Sequence, residues 1–76
     1  MSKVEPILEN SRMIHKANQI AAYFKHYPED RAIDGVADHL QKFWPPKMRA
    51  QLLAYIDDEQ GADLEELVIK ASKKLG

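Results

Sequence analysis

Three histidines are the side chains of this 76-residue chain best suited to bind a metal ion: His15, His26 and His39. No two of them are four residues apart, the spacing that places two ligands on one helix face. The carboxylate nearest in sequence to His39 is that of its neighbour Asp38. Adjacent residues point about 100° apart on a helix, so the two side chains do not share one ligand face. The chain has no cysteine, which excludes thiolate-ligated zinc, iron–sulfur ligation and disulfides. We therefore predict no metal site and interpret the histidines as surface or partly buried residues.

Nucleophilic catalysis has little support in the sequence. The only serines are Ser2, Ser11 and Ser72, and none lies in a glycine-rich elbow. Three scattered glycines cannot build a phosphate-binding loop. We predict no catalytic residue and no cofactor-binding residue in this chain.

Charge and hydropathy exclude other classes of function. Eleven basic and twelve acidic residues give a net charge of −1, whereas nucleic-acid binders usually have a marked basic excess. No apolar run approaches the ~20 residues of a membrane span, and residues 1–6 lack the apolar core of a signal peptide. The expectation is a soluble, cytoplasmic protein that binds neither nucleic acid nor membrane.

A chain of this length forms one domain at most, and domains below roughly 70–80 residues rarely bury enough apolar surface to be comfortably stable alone. Because disulfides are excluded, well-packed helices or a partner protein must supply the stability. We divide the chain into a flexible lead-in over residues 1–9, which contains Pro6, and a single helical domain over residues 10–76.

Apolar residues recur at helical spacing in four segments. The first helix is predicted to begin at Asn10 or Ser11 and to end before Pro28, which also opens the second helix. Trp44 precedes a proline and ends the second helix, and the pair at 45–46 opens the third. The apolar stripes are Met13, Ile14, Ala17, Ile20, Ala21 and Phe24; Ile33, Val36, Ala37, Leu40 and Phe43; and Met48, Leu52, Leu53, Tyr55 and Ile56.

A fourth, short helix is predicted from Leu64, Leu67, Val68, Ala71 and Leu75. Gly61 is suited to the left-handed position after the third helix, and Asp63 with Glu66 has capping-box spacing. Gly35 inside the second helix indicates close approach of a neighbouring backbone. The predicted fold class is all-α, a small bundle of three main helices plus a short C-terminal helix.

Polar residues on the first helix leave two interpretations open. Asn is a poor residue for a helix interior, so the amide of Asn18, beside Gln19, either bonds a partner or bonds a neighbouring loop of the same chain. A second stripe on this helix is either a docking face or a solvated face. It contains Arg12, Lys16, Gln19, Tyr23 and His26.

The junction between the second and third helices is the other candidate region. Trp44 is either a core residue or an anchor for a partner, and Met48 is either core or interface. Lys47 and Arg49 lie in the first turn of the third helix, where positive charge is disfavoured by typically 0.3–1 kcal/mol. Arg49 is therefore expected to form a bidentate pair with a carboxylate, either within this chain, with Asp38 as one candidate, or across an interface.

Parts of the first three predicted helices resemble a known protein family. The order and spacing of several blocks resemble those of the delta subunits of NAD-dependent formate dehydrogenases. The blocks are Met13 with residues 17–21, then residues 36–40, then Phe43-Trp44 followed by Pro46, Met48-Arg49 and Leu52-Leu53. The resemblance covers about residues 12–56. Pro45 departs from the family pattern, which has Asp there, so a cap or salt bridge from that Asp is absent.

The resemblance implies a non-catalytic accessory subunit of a soluble, cytoplasmic formate dehydrogenase. It implies that partner subunits carry the molybdenum or tungsten pterin, the iron–sulfur clusters, the flavin and the NAD site. This chain would bind the large catalytic subunit and support assembly or stability of the complex. The residues that we assign to the interface or the junction on this basis are Asn18, Gln19, Asp38, His39, Trp44, Met48 and Arg49.

Two other functions remain as alternatives. One is a helical nucleic-acid-binding module that uses Lys47 and Arg49, which the balanced charge disfavours. The other is a self-associating domain that pairs its spare face as a twofold homodimer when isolated.

Overall fold

The computed structural model describes the backbone of residues 4–75 and the side chains of residues 10–75. Over that range the chain forms four helices and no strand: α1 (Val4–Phe24), α2 (Glu29–Phe43), α3 (Pro46–Glu59) and α4 (Glu66–Ser72). The predicted all-α bundle of three main helices and a short C-terminal helix is confirmed. None of the helices in this range is long and apolar enough to cross a membrane.

α1 begins at Val4, six residues before the predicted start at Asn10. Pro6 is the third residue of the helix. The first four N–H groups of a helix have no intrahelical partner, so a proline in the first turn removes no hydrogen bond. The predicted start was therefore wrong, and residues 1–3 of the predicted lead-in lie outside the described part of the chain.

Prolines set the start of the next two helices. Pro28, predicted as the first residue of the second helix, is instead the N-cap of α2, one position before its first residue Glu29. Pro45 is the N-cap of α3, with Pro46 inside its first turn. Neither N-cap forms a side-chain hydrogen bond. In α2, Glu29 and Asp30 occupy the first turn, where negative charge favours the helix dipole.

The core lies where the four helices meet. Val36, Leu40, Leu52 and Val68 are its largest fully buried side chains, and they come from α2, α3 and α4. α1 contributes small residues and one methionine, which allow the other helices to approach it closely. The remaining members of the core are Met13, Ala17, Ala21, Ala37, Trp44 and Ala71.

The α3–α4 connection differs from the prediction. Gly61 has a positive φ of 72°, as predicted, and Gln60 and Asp63 have positive φ as well, at 56° and 68°. The N-cap of α4 is Glu65, which forms no side-chain cap hydrogen bond. Asp63 is therefore not a capping residue, and the predicted Asp63–Glu66 capping box was wrong.

α4 packs mainly against α2, and two exposed ion pairs join α2 to one lysine in α4 and one just after it. Lys70 binds the carboxylate of Glu29, and Lys74 binds that of Asp34 at 2.8 Å. Because exposed ion pairs stabilise weakly, the buried side chains of Val68 and Ala71 hold α4 in place.

Two further expectations are corrected. The neighbour that requires Gly35 is the ring of Phe24, since a Cβ at Gly35 would lie 2.5 Å from its Cε1 atom, and not a backbone. Phe43, predicted on the buried stripe of α2, is 70% exposed, because it lies at the end of the helix.

Candidate functional site

An open groove of about 630 Å³ lies between α1 and the C-terminal half of α2. The two helices run antiparallel, since Phe24 at the end of α1 covers Gly35 while residues earlier in α1 lie beside His39. We call this feature the α1–α2 groove. Its lining residues are Lys16, Gln19, Ile20, Tyr23, Phe24, His39 and Trp44.

The floor of the groove is apolar and belongs to the core. Trp44 is only 7% exposed, and Ile20 and Phe24 are partly buried against the core cluster. Trp44 also ends α2, donating its backbone N–H to the carbonyl oxygen of Leu40. The interpretation of Trp44 as a core residue is confirmed, and its remaining surface faces the groove.

Aromatic rings stand at the rim of the groove. Tyr23 is 70% exposed and packs edge-on against Phe24, with ring centroids 5.0 Å apart. On the α2 side, the ring of Phe43 lies 4.8 Å from that of His39. Tyr is one of the residue types enriched among the side chains that contribute most to binding in protein interfaces.

The charge at the groove is positive. Lys16 lines it, and among residues 10–75 no carboxylate is a lining residue. The three carboxylates along α2 that form ion pairs each bind a lysine: Glu29 binds Lys70, Asp34 binds Lys74, and Asp38 binds Lys42 at 3.3 Å. The groove therefore combines an apolar floor, aromatic rims and a cation, a combination suited to binding a protein surface.

The histidines lie apart. His15 and His26 are exposed and His39 is half-buried, as predicted for surface or partly buried residues. Within residues 10–75 no three His, Asp or Glu side chains are grouped as ligands of a metal ion.

Comparison with known protein families identifies one match, over residues 12–72, to the model of the NADH-dependent formate dehydrogenase delta subunit FdsD. The chain belongs to this family. The match extends past the predicted resemblance into α4 and covers the whole α1–α2 groove. Comparison with curated proteins and with solved structures finds no match.

Membership of the delta-subunit family assigns the chain to a formate dehydrogenase complex, so its partners are the other subunits of that complex. It supports an accessory role. Of the seven residues predicted at an interface or junction, the structure brings three to the groove: Gln19, His39 and Trp44.

Asn18 is used within this delta-family chain. Its Oδ1 accepts the backbone N–H of Glu65 and its Nδ2 donates to the carbonyl oxygen of Asp63, both at 2.9 Å. Of the two interpretations from the sequence, the structure has the internal bond to a neighbouring loop. The amide supplies the cap that the α4 N-terminus lacks locally.

Arg49 also acts within the chain, where its partners are main-chain oxygens; the candidate carboxylate of Asp38 pairs with Lys42 instead. The Nη1 atom of Arg49 donates to the carbonyl oxygens of Gln41 at 2.6 Å and Trp44 at 3.1 Å. Arg49 thus satisfies main-chain oxygens at the end of α2, where positive charge is favoured by the helix dipole. This position explains a cation in the first turn of α3. Met48 is half-buried against the core.

Sequence reasoning missed Phe43 as a rim residue and Ile20 and Phe24 as the floor. Their periodicity placed all three on buried helix faces. Periodicity identifies the face of a helix that packs inward, but it does not show where the neighbouring helix ends and leaves part of that face exposed. Lys16 and Tyr23 lay on the second stripe of α1, for which a docking face was one of two interpretations.

Proposed function

We propose that this chain is a non-catalytic accessory subunit that binds the large catalytic subunit of a cytoplasmic NAD-dependent formate dehydrogenase and supports assembly or stability of the complex. The observation that carries the proposal is the family match over residues 12–72. The molybdenum or tungsten pterin, the iron–sulfur clusters, the flavin and the NAD site would belong to other subunits. The lack of cysteine supports this for the clusters, which are held mainly by thiolates.

The physical basis of the role is partnership. A domain of this size buries a limited apolar area, and the rim of the α1–α2 groove leaves Tyr23 and Phe43 largely exposed. Covering them in a complex would stabilise the folded chain, because a partner that binds only the folded state shifts the unfolding equilibrium by mass action. The same linkage would stabilise the catalytic subunit.

Co-expression tests the proposal. The remaining subunits of the formate dehydrogenase complex are produced with and without this chain, and the purified complexes are compared in molybdenum or tungsten, iron and flavin content, in formate oxidation and in thermal inactivation. We expect the complex made without the chain to have a lower cofactor content or a shorter half-life. Identical content, activity and half-life would contradict the proposal.

The two alternatives have their own measurements. Arg49, one of the two cations assigned to nucleic-acid binding, donates to main-chain oxygens of its own chain, and a gel shift at low salt tests what remains of that function. Sedimentation of the isolated chain separates a monomer from a homodimer, the state in which the spare surface pairs with a second copy.

A further inference from the structure

The α1 side of the α1–α2 groove carries positive charge, and this charge indicates the chemistry of a partner that could bind there. Residues 10–28 contain Arg12, Lys16 and Lys25 and no carboxylate. Arg12 and Lys16 are four residues apart, so they lie on the same face of α1, and Gln19 and Tyr23 continue that face along the groove. A partner surface that meets this face gains from negative charge.

The acidic part of the chain lies on the other flank of α1. Six carboxylates and no cation occupy residues 50–69, and the α3–α4 connection within them is bonded to Asn18. Asn18 is two positions from Lys16, which places the two side chains about 200° apart around the helix. The acidic connection therefore does not neutralise the groove.

We infer that the α1–α2 groove is the docking site for an acidic segment of another subunit of the formate dehydrogenase complex. The segment places an aliphatic or aromatic side chain on the floor formed by Ile20, Phe24 and Trp44, and its carboxylates lie against Lys16. This inference rests on the proposed function and adds to it the surface and the chemistry of the partner.

A second copy of the chain fits the groove poorly. In a twofold dimer the same patch faces itself, so pairing through the groove would place a lysine on both sides of the interface and, among residues 10–75, no lining carboxylate opposite it. Like charges in an interface oppose association. An acidic segment of a different subunit meets no such repulsion.

The test is a binding titration of the full-length chain on the formate dehydrogenase complex purified without it, at low and high salt. Lys16→Glu and Tyr23→Ala alter the groove at exposed positions, so the fold is retained, and circular dichroism verifies this. The controls are Arg31→Glu for the charge and Leu53→Ala on α3 for the loss of an exposed apolar side chain, since both residues are exposed and neither lines the groove. A glutamate at position 31 also suits the first turn of α2.

We expect Lys16→Glu, which sets like charges together, and Tyr23→Ala, which truncates an interface residue, each to raise the dissociation constant about tenfold or more. The controls should bind within about twofold of the wild type, the small change expected of residues outside an interface. High salt should weaken wild-type binding and reduce the difference between wild type and Lys16→Glu, because salt screens exposed charges. The Tyr23→Ala difference should persist.

Three results would overturn the inference. Groove variants that bind like the wild type would exclude this surface, and salt-independent wild-type binding would exclude an acidic partner. If Tyr23→Ala abolishes a dimer of the isolated chain but leaves binding to the complex unchanged, the occupant is a second copy. Absence of wild-type binding would instead contradict the proposed function, so the two failures are distinguishable.

Discussion

The side-chain amide of Asn18 on α1 holds the backbone of Glu65 at the start of α4, its Oδ1 accepting the Glu65 N–H at 2.9 Å. The two residues are 47 positions apart. The N-terminus of α4, a helix only seven residues long, is therefore capped by a residue of α1, while α2 supplies most of its packing.

Replacing Asn18 with Ala should destabilise the chain by about 1–2 kcal/mol, because it removes an N-cap acceptor and a donor to the connection. Asn18→Asp keeps an acceptor for the Glu65 N–H but sets a carboxylate oxygen against the carbonyl oxygen of Asp63, so it should destabilise as well. Urea unfolding measures both. Ser11→Ala on the exposed side of the same helix is the control, and an Asn18→Ala midpoint equal to that of the control would contradict the capping role.

The α2–α3 junction gives a second prediction. Arg49→Ala leaves the carbonyl oxygens of Gln41 and Trp44 without their donor, which should reduce the free energy of unfolding by about 1.5–3 kcal/mol. Lys47 lies two positions away in the same turn and is exposed, so Lys47→Ala should change the free energy of unfolding by less than about 0.5 kcal/mol. Equal effects of the two substitutions in thermal unfolding would show that Arg49 contributes only charge.

The contact between Phe24 and Gly35 can be tested by a double-mutant cycle. In the wild-type background, Gly35→Ala forces the Phe24 ring to move, and overpacking of this kind destabilises by about 1–3 kcal/mol. In a Phe24→Ala background the ring is gone, and the same substitution should stabilise α2 by about 1 kcal/mol through helix propensity. The sign of the Gly35→Ala effect should therefore reverse between the two backgrounds, and an unchanged sign would contradict the steric account.

The ion pairs between α2 and α4 predict a loss of stability at alkaline pH. The hydrogen bond to Glu29 raises the pKa of Lys70 above 10.5, and the hydrogen bond to Asp34 does the same for the pKa of Lys74. A pKa that is raised on folding contributes stability that is complete below the unfolded value and is lost as pH rises through the folded value. The melting temperature should therefore fall as the pH rises above about 10.5.

Tyr55 acts in the same direction, since desolvation, followed by the negative charge of Asp63, raises its pKa above 10.0. Its hydroxyl donates to the carbonyl oxygen of Ala62 at 2.8 Å, a bond that the phenolate cannot make. The control is the triple substitution Lys70→Gln, Lys74→Gln and Tyr55→Phe, which should have a shallower alkaline decline than the wild type. Parallel profiles would show that other groups cause the decline.

The four helices could be predicted from the sequence because the features that indicate a helix lie within a few residues of one another. Apolar periodicity located α1, α2 and α3, and the prolines at 28 and 45–46 marked the breaks between them. Where the predicted start of α1 failed, the error came from treating Pro6 as a helix breaker, although the first turn tolerates proline.

The roles of Asn18 and Arg49 could not be obtained in that way. Each side chain bonds a helix other than its own, so its partner is determined by packing rather than by local spacing. The positive charge of Arg49 is unfavourable at the start of its own helix and favourable at the end of the preceding helix. The sequence indicated only the unfavourable effect. The groove itself was partly predictable, because the Lys16–Tyr23 stripe is visible in the sequence while the exposure of Phe43 is not.

The central claim is that this delta-family chain is held by the catalytic subunit of a formate dehydrogenase. Its most direct test is native mass spectrometry of the complex purified through a tag on the catalytic subunit, after co-expression of all subunits. The account predicts a species that contains this chain at a fixed ratio to the catalytic subunit, and it predicts loss of that species with Tyr23→Ala combined with Lys16→Glu. A catalytic subunit recovered free of the wild-type chain, while the folded chain is present in the same extract, would contradict it.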